Sequence, residues 1–585
     1  MRWLLILAAL GLVGTSAFAQ NYGGDGKAAK ERGIGRRIAP FVLPTPDGKQ
    51  LGLADMQDAK ATVVIFMSTR CPIGNGYVPT LNELANQYRD KKVQFLAIYP
   101  SPADSEKDIA KHFKEFKLTF PVVIDARQTA VAQFEAKRTP EVVVLDHRLA
   151  IRYRGRIDDR IGQDYRRDEA KRHDLREAID EVIAGKKVTV AETEPAGCLI
   201  TPVRRAAGKD GPTYAKDVAK ILHARCAECH HPGTTAPFSL LSYDDASNWS
   251  AMIREVVARR TMPPWHADPR FGHFANARRL SQEETETILA WVDAGSPRGD
   301  AKSEPKAPTF EEGWRIGKPD VVFKMPETYK VQAKGTIRYK YFATKTNFKE
   351  DMWVQAAETK PGNRAVVHHI IISYRDPKSF LKQPTWLVST APGAEPLVLP
   401  PGMGRKIPAG SEIIFQMHYT ATGKEEEDCS EVGLVFCKEP PKQAIVNHGI
   451  ANTKLKIPAG EPNQVVSSSV PALKDAVVLA LYPHMHVRGK DFTYYLVHAD
   501  GKKETLLSIP QYDFNWQNTY RFKEPLFVPR GSKIQCVAHF DNSLDNPANP
   551  DATREVRWGD QTWDEMMIGY IDFYWVEDKT GPKKQ

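Results

Sequence analysis

Seven cysteines in 585 residues are too few to staple a chain of this length. Disulfides therefore do not replace hydrophobic cores, and the chain has to bury apolar surface in the ordinary way. Cys429 and Cys437 bracket "SEVGLVF", which reads as one strand. Eight residues of strand separate them by roughly 27 Å, so they do not pair unless the chain turns between them. Dense runs of one charge sign are also missing. The 81 basic and 72 acidic residues are spread along the chain and leave a net +9, which gives no footprint for nucleic acid. After the first twenty residues no stretch of 18 uninterrupted apolar residues occurs, so no stable membrane span is expected in the mature chain.

The opening "MRWLLILAALGLVGTSAFAQ" has Arg2, an apolar run from Trp3 to Val13 and a small-x-small end at Ala17-Phe18-Ala19. This is the layout of a cleaved secretory signal, residues 1–19, and it predicts a periplasmic or secreted protein. The apolar run is too short to serve as a membrane anchor. The length that remains allows about four domains.

Residues 34–187 alternate strand and helix signals. "ATVVIFM" (61–67), "VQFLAIY" (93–99), "FPVVID" (120–125) and "EVVVLD" (141–146) are short β-branched runs, and "LREAIDEVIAG" (175–185) is a helix stopped by Gly185. The alternation predicts an α/β layer fold. A linker with Pro195, Gly197, Pro202 and Gly208 spans 188–212. Helical patterns follow in 213–300, at "YAKDVAKILHARC" and at "SQEETETILAWVDAG", which opens on a Ser281-x-x-Glu284 capping box. After a polar, Pro-rich linker (296–313), strand-like runs dominate, punctuated by Gly, Pro and Asn, and predict two β-sandwiches at 317–440 and 441–578.

Cys71 follows the first strand run closely and opens the helical stretch "CPIGNGYVPTLNELANQY". A helix N-terminus stabilises a thiolate, so a redox thiol is expected there. With Pro79 in the helix and Thr139-Pro140 before "EVVVLD", residues 34–187 resemble the thioredoxin and peroxiredoxin superfamily. The resemblance implies a cis-proline loop facing the cysteine. Gly74 stands where a second active-site cysteine belongs, so no local C-x-x-C dithiol exists and ordinary reductase chemistry lacks its resolving thiol. Peroxidatic chemistry and a docking role both remain open.

"RCAECHHPG" (225–233) places Cys226, Cys229 and His230 in C-x-x-C-H, the pattern of covalent c-type haem attachment. "TMPPW" (261–265) resembles the Met-Pro motif of class I cytochromes c, and the resemblance implies an all-α haem domain over 213–300. His230 and Met262 would be the axial ligands, suited to electron transfer. His231 and His266 are the rival sixth ligands. A zinc site on the two cysteines would want two more ligands at finger-like spacing.

In "YPHMHVRG", His484 and His486 stand two apart and leave one face of a strand. His368 and His369 are adjacent and would face opposite ways in a regular strand, so a shared metal there requires a bulge or a strand end. His418 is a third imidazole nearby in "FQMHYT". The order H-H, "QMHYTATG", "HMHVRGK" and "DEMMIGYIDFYW" resembles the copper type II ascorbate-dependent monooxygenases over about 318–576. That resemblance implies two coppers in two β-sandwiches. His368, His369 and His418 would hold the electron-storing one; His484, His486 and Met566 would hold the oxygen-binding one, with Met567 as the rival of Met566. Imidazoles suit both copper oxidation states and a thioether favours Cu(I). Met567 stands where a cysteine often follows in the family, so the disulfide it would make with Cys536 is missing. Tyr570 matches a tyrosine of the substrate pocket. Tyr482 replaces the arginine of the peptide-amidating members, which argues against a C-terminal peptide substrate.

The expected whole is a multidomain oxidoreductase: an α/β thioredoxin-like domain, an all-α cytochrome c-like domain and two all-β sandwich domains. One covalent haem c, fed by a periplasmic electron donor, would pass electrons to two coppers that use molecular oxygen on an unknown organic substrate. The alternatives are a periplasmic electron-transfer or thiol- and copper-handling protein with a thioredoxin-like dock, and a cysteine peroxidase fed by the haem.

Overall fold

The computed structural model describes residues 33–576 apart from 57, 204–210, 235, 311–312, 379–383 and 392–394. The expected signal segment lies outside the described residues. The first unit is built on a five-stranded sheet in the order Val122–Ile124, Val93–Tyr99, Ala61–Phe66, Glu141–Asp146, Ile151–Gly155. The first three strands run parallel and the last two antiparallel. Every residue of Ala61–Phe66 and Glu141–Asp146 is buried, because both faces of the sheet are covered. Leu81, Tyr88, Leu175 and Ile179, from the helices Pro72–Tyr88 and Asp174–Ile183, pack with Val63 and Ile65 on one face. Ile38, Ala130 and Phe134 pack with Val64 and Phe66 on the other. This is the expected α/β layering. Glu141 is bound by the Arg154 guanidinium at 2.7 Å and also accepts from the Lys137 amide, which fastens the 137–140 turn to the sheet.

Residues 213–300 carry helices at Tyr214–Val218, whose first turn is π-wound and continues into Ala219–Arg225, and at Tyr243–Asn248, Ser250–Ala258 and Gln282–Asp293. The Ser281–Glu284 box caps the last of these, as the sequence predicts. Tyr214, Leu222, Trp249, Ile253, Ile288 and Trp291 form its core. The segment is not self-contained. Trp265 and Phe274 have no helix of their own; buried Trp265 and partly buried Phe274 pack on Tyr520 of the second sandwich, at 4.8 and 5.5 Å between ring centres. The Asp268 amide donates to Ser508 O at 2.8 Å along the same contact.

Two β-sandwiches follow. In the first, the sheet built on Glu431–Phe436 and Met352–Lys360 packs through Val354, Val432 and Leu434 against Ile370, Ile372 and Phe415 of the sheet Lys340–Lys345, Glu412–Tyr419, Val367–Arg375, Thr385–Thr390. In the second, the sheet Val446–Ala451, Ile568–Trp575, Ala476–His484, Tyr520–Val528 faces Gln464–Pro471, Lys533–Phe540, Gly489–Val497, Lys503–Ile509. Val478, Leu481, Phe492, Tyr494 and Ala538 fill its core. Lys533–Phe540 alternates buried and more exposed positions, the period of two that marks a strand with one face inward. Buried Arg405 crosses between the sandwiches, donating to Leu387 O at 2.6 Å and to Asp572 at 2.7 Å.

Candidate functional site

His369 pairs opposite His418 across the antiparallel strands Val367–Arg375 and Glu412–Tyr419, and the register slips between Val367 and His369. That bulge turns His368 toward the face of its neighbour, so the three imidazoles converge. The Nδ1 atoms of His368 and His418 lie 3.3 and 3.4 Å from Nδ1 of His369. Three nitrogens each about 2.0 Å from one ion stand about 3.3–3.5 Å apart, which two of these spacings match, and one nitrogen from each ring lies within 4.8 Å of the other two, so the set can close on a metal ion. Burial, then the neighbouring imidazoles, holds His369 and His418 well below the ordinary value. Burial and the nearby Arg166 lower His368 to about 4. Neutral imidazoles are the ligating form.

In the second sandwich His484 ends the strand Ala476–His484 and His486 lies just beyond it, with ring centres 5.3 Å apart. His484 Nδ1 donates to Gln517 Oε1 at 2.7 Å and His486 Nδ1 donates to Asp564 O at 3.2 Å. Both partners are acceptors, so each ring is held with its Nε2 lone pair free for a ligand. Met566 lines the same cavity as the two imidazoles, whereas Met567 is fully buried in the sandwich core. Phe514 lies between the two groups, stacked on His368 at 6.3 Å and edge-on to His486 at 5.9 Å.

The histidines form part of the partition between two cavities. One, of about 760 Å³, is lined by His369, His484, His486, Met566, Trp386 and Tyr570. Trp386 stacks on both Tyr482 and Tyr570, at 5.9 and 6.0 Å, which makes an aromatic wall. The other, of about 880 Å³, is lined by His368, His418 and His486 together with Arg160 and Arg166 of the first unit. His266 also lines this second cavity.

At the C-x-x-C-H, the Cys229 and His230 amides both donate to Cys226 O, which winds the motif into a turn. His230 Nδ1 donates to Phe238 O at 3.1 Å and so leaves Nε2 as a lone pair, the arrangement of a ligating imidazole. Both cysteines are free thiols, and burial raises them. A turn carrying two thiols and an imidazole with its Nε2 free is what a c-type haem would require of this motif. His231 is stacked on Phe310 at 3.9 Å. Met262 is partly exposed, its amide bonded to Val256 O at the end of the Ser250–Ala258 helix, where the chain leaves for the second sandwich.

Cys71 is the N-cap of the helix Pro72–Tyr88 and is fully buried. Its thiol donates to Thr139 O at 2.9 Å and accepts from the Gly74 amide at 3.4 Å. Thr139-Pro140 is a cis bond beside it, as the resemblance implied.

Sequence reasoning missed three groups. Glu565, within the "DEMM" stretch, is fully buried and accepts from the amides of His486, Arg488 and Met566 at 2.9, 2.7 and 3.2 Å. Burial lifts its carboxyl to about 7. Gln517 bears no motif and is found only by its contact with His484. Cys198, left without a role by the sequence, stands opposite Thr139, whose carbonyl accepts from the Cys71 thiol. A buried acidic residue beside a ligand motif is the only one of the three with a readable signal.

Comparisons agree with two parts of this description. Residues 34–158 match the AhpC/TSA family, and residues 461–584 match the copper type II ascorbate-dependent monooxygenase, C-terminal domain. Thiol-disulfide oxidoreductase ResA of Bacillus anthracis is 30% identical over 147 residues, covering 25% of this chain and 80% of that protein. Thioredoxin-like protein YneN of Bacillus subtilis is 28% identical over 157 residues, covering 26% of this chain and 86% of that protein. Among solved structures, peroxidoxin BcpB of Mycobacterium tuberculosis is similar at 20% identity and TM-score 0.21, covering 26% of this chain and 94% of that one. A thiol-redox α/β unit joined to a mostly-β copper unit defines a copper oxidoreductase. Its redoxin part belongs with the thioredoxin-like thiol-disulfide oxidoreductases of the AhpC/TSA type, and its C-terminal part is a copper type II monooxygenase domain. No helix among the described residues is long and apolar enough to cross a membrane.

Proposed function

We propose that this chain is an exported copper-dependent monooxygenase that hydroxylates a C–H bond of an organic substrate, with a c-type haem as its electron entry. The observation that carries the reading is that His369, from the histidine cluster of the first sandwich, and His484 and His486 of the second line one cavity with Met566 and Tyr570. His368, His369 and His418 would hold one copper; His484, His486 and Met566 would hold the other. Copper bound there supplies one-electron redox chemistry and oxygen activation. Gln517 and the Asp564 carbonyl orient the second pair of imidazoles, and Glu565 pins the loop of His486 to the segment of Met566. Trp386 and Tyr570, with Tyr482 stacked on Trp386, give the cavity an aromatic wall that favours an apolar or aromatic substrate over a free carboxylate.

Cys226 and Cys229 would hold the haem covalently, with His230 and Met262 as axial ligands, and the haem supplies one-electron transfer from a periplasmic donor. Hydroxylation puts one oxygen atom into the substrate and releases the other as water, which takes two electrons and two protons from outside. The leader sequence is what supports export.

The test is metal and haem content of the mature full-length protein, produced with copper and haem-attachment machinery, together with oxygen uptake on reduction. One haem and two coppers, falling to one copper in His484→Ala, with oxygen consumed, is the expected result. Two coppers held without oxygen uptake would replace this reading with a carrier of copper and electrons. A full haem with no tightly bound copper would end it.

A further inference from the structure

We propose that Cys71 and Cys198 form one redox-active dithiol, in which the linker strand after the redoxin unit delivers the resolving thiol that Gly74 cannot supply. The inference is independent of the copper reading. It starts from register. The two-residue strand Cys198–Leu199 pairs antiparallel with Arg138–Thr139, and Thr139 stands directly opposite Cys198. Thr139 O is also the acceptor of the Cys71 thiol at 2.9 Å. Thr139 thus touches both cysteines, through its ladder partner Cys198 and through its carbonyl, and brings them to one turn.

The strap that carries Cys198 is held by this short ladder, by the Ile200 amide donating to Lys137 O at 2.8 Å with Ile200 packed on the sheet, and by side chains. Arg138 donates to Gly197 O at 2.8 Å, the Gly197 amide donates to Gln163 at 3.1 Å, and Gln128 donates to Thr201 O at 2.7 Å while accepting from the Val203 amide at 2.9 Å. Gly197 has φ +151°, and a Cβ there would meet Thr139 O at 2.1 Å, so only glycine lets the strap lie this close. Two ladder pairs and a few side-chain bonds make a segment that opens locally while the redoxin core stays folded. Opening is needed, because Cys71 has 0% exposure as the strap lies.

The two thiols are unequal in the way the chemistry requires. The hydrogen bond from Cys198, aided by the Gly74 amide at the helix N-terminus, pulls Cys71 down to about 7. The same contact, with burial, keeps Cys198 protonated. Cys71 is therefore the attacking thiolate. With the strap lifted, it attacks one sulfur of an incoming disulfide, forms a mixed disulfide and expels the first thiolate. Cys198 gives its proton to solvent, attacks Cys71 Sγ and expels the second thiolate, closing a Cys71–Cys198 disulfide. Two electrons pass from the cysteine pair to the substrate disulfide, and an external dithiol restores the pair by the reverse exchange. The strap also packs on the Ser250–Ala258 helix, and Arg138 beside it pairs with Glu255 of that helix at 2.8 Å. The disulfide would therefore lock the strap at the contact between the redoxin unit and the helical segment.

The experiment uses the full-length protein, reduced, freed of reductant and exposed to oxidised glutathione, then acid-quenched, alkylated and mapped without reduction. The wild type is expected to yield a Cys71–Cys198 linked peptide. Cys198→Ser is expected to accumulate Cys71–glutathione by about tenfold or more over wild type, because the resolving attack is gone. In parallel, the pH midpoint for alkylation of Cys71 is expected near 7 in the wild type and higher in Cys198→Ala, which leaves the thiolate without that donor. Equal glutathione adduct in both proteins, an unmodified Cys71 in both, or an unmoved midpoint would each overturn the proposal. Gly197→Val guards against misfolding at the cysteines: it leaves both thiols in place, lifts the strap, and should lose the linked peptide while gaining the adduct.

Discussion

Replacing Glu565 tests whether the second histidine group is assembled by a buried carboxylate. Its two oxygens accept three backbone amides, those of His486, Arg488 and Met566, and none of the side chain reaches solvent. Glu565→Ala leaves three buried donors without a partner, at about 1–3 kcal/mol each, and strips the counter-charge from buried Arg488. The guanidinium keeps Asn542 Oδ1 and Trp563 O, both at 2.9 Å, which limits that second cost. A local destabilisation of about 3–9 kcal/mol follows for the alanine variant. Glu565→Gln keeps the shape and one acceptor oxygen and should cost about 2–3 kcal/mol. A protein of several units does not unfold in two states, so the readout is amide exchange rather than a melting curve. Exchange at 484–490 and 564–568 should rise by about 10²-fold or more in the alanine variant and by far less elsewhere. Copper in the His484/His486/Met566 set should fall in parallel. Unchanged exchange in Glu565→Ala, with an intact fold, would refute the idea that this carboxylate holds the loop.

Two further outcomes follow from the contacts. His112 is buried, accepts from Tyr99 at Nδ1 and donates to Asn75 at Nε2, both at 2.9 Å, and burial lowers it from 6.5 to about 4. The folded state keeps it neutral while the unfolded chain takes a proton below about 6.5. The redoxin unit therefore loses stability as pH falls from 6.5 to 4, by about 3 kcal/mol in all; amide exchange along Glu106–Glu115 should show this slope, and His112→Gln should flatten it. Gly423 has φ +97°, and a Cβ there would meet Asn75 O at 2.0 Å, where the first sandwich touches the helix of Cys71. Gly423→Ala should cost about 1–2 kcal/mol from backbone strain alone and loosen that contact, seen as faster exchange at 72–80; an unaltered pattern would mean that the contact does not hold the two units together.

Much was legible in the chain without its fold. The β-branched runs at 61–67, 93–99 and 141–146 became strands at Ala61–Phe66, Val93–Tyr99 and Glu141–Asp146, and the capped pattern at 281–295 became Gln282–Asp293. The pairing of His484 with His486 and the place of Cys71 at a helix start were equally local. These are properties of a few consecutive residues, where the period of a strand or helix and the chemistry of a cap act directly.

Everything that depends on which strand lies beside which was decided by the tertiary structure. The bulge at His368, the pairing of His369 with His418, and the approach of that cluster to His486 through Phe514 are matters of register between distant segments. So is the departure of Trp265 and Phe274 from the helical segment to the second sandwich. Whether Met566 or Met567 faces the cavity follows from where the last strand begins its pairing, at Ile568. Cys198 shows the limit most plainly. It lies in a linker rich in proline and glycine, with no periodicity, and meets Cys71 only because a two-residue strand is caught by Thr139. Period and propensity describe one segment at a time; the partner across a ladder is chosen by the burial and hydrogen bonding of the whole chain.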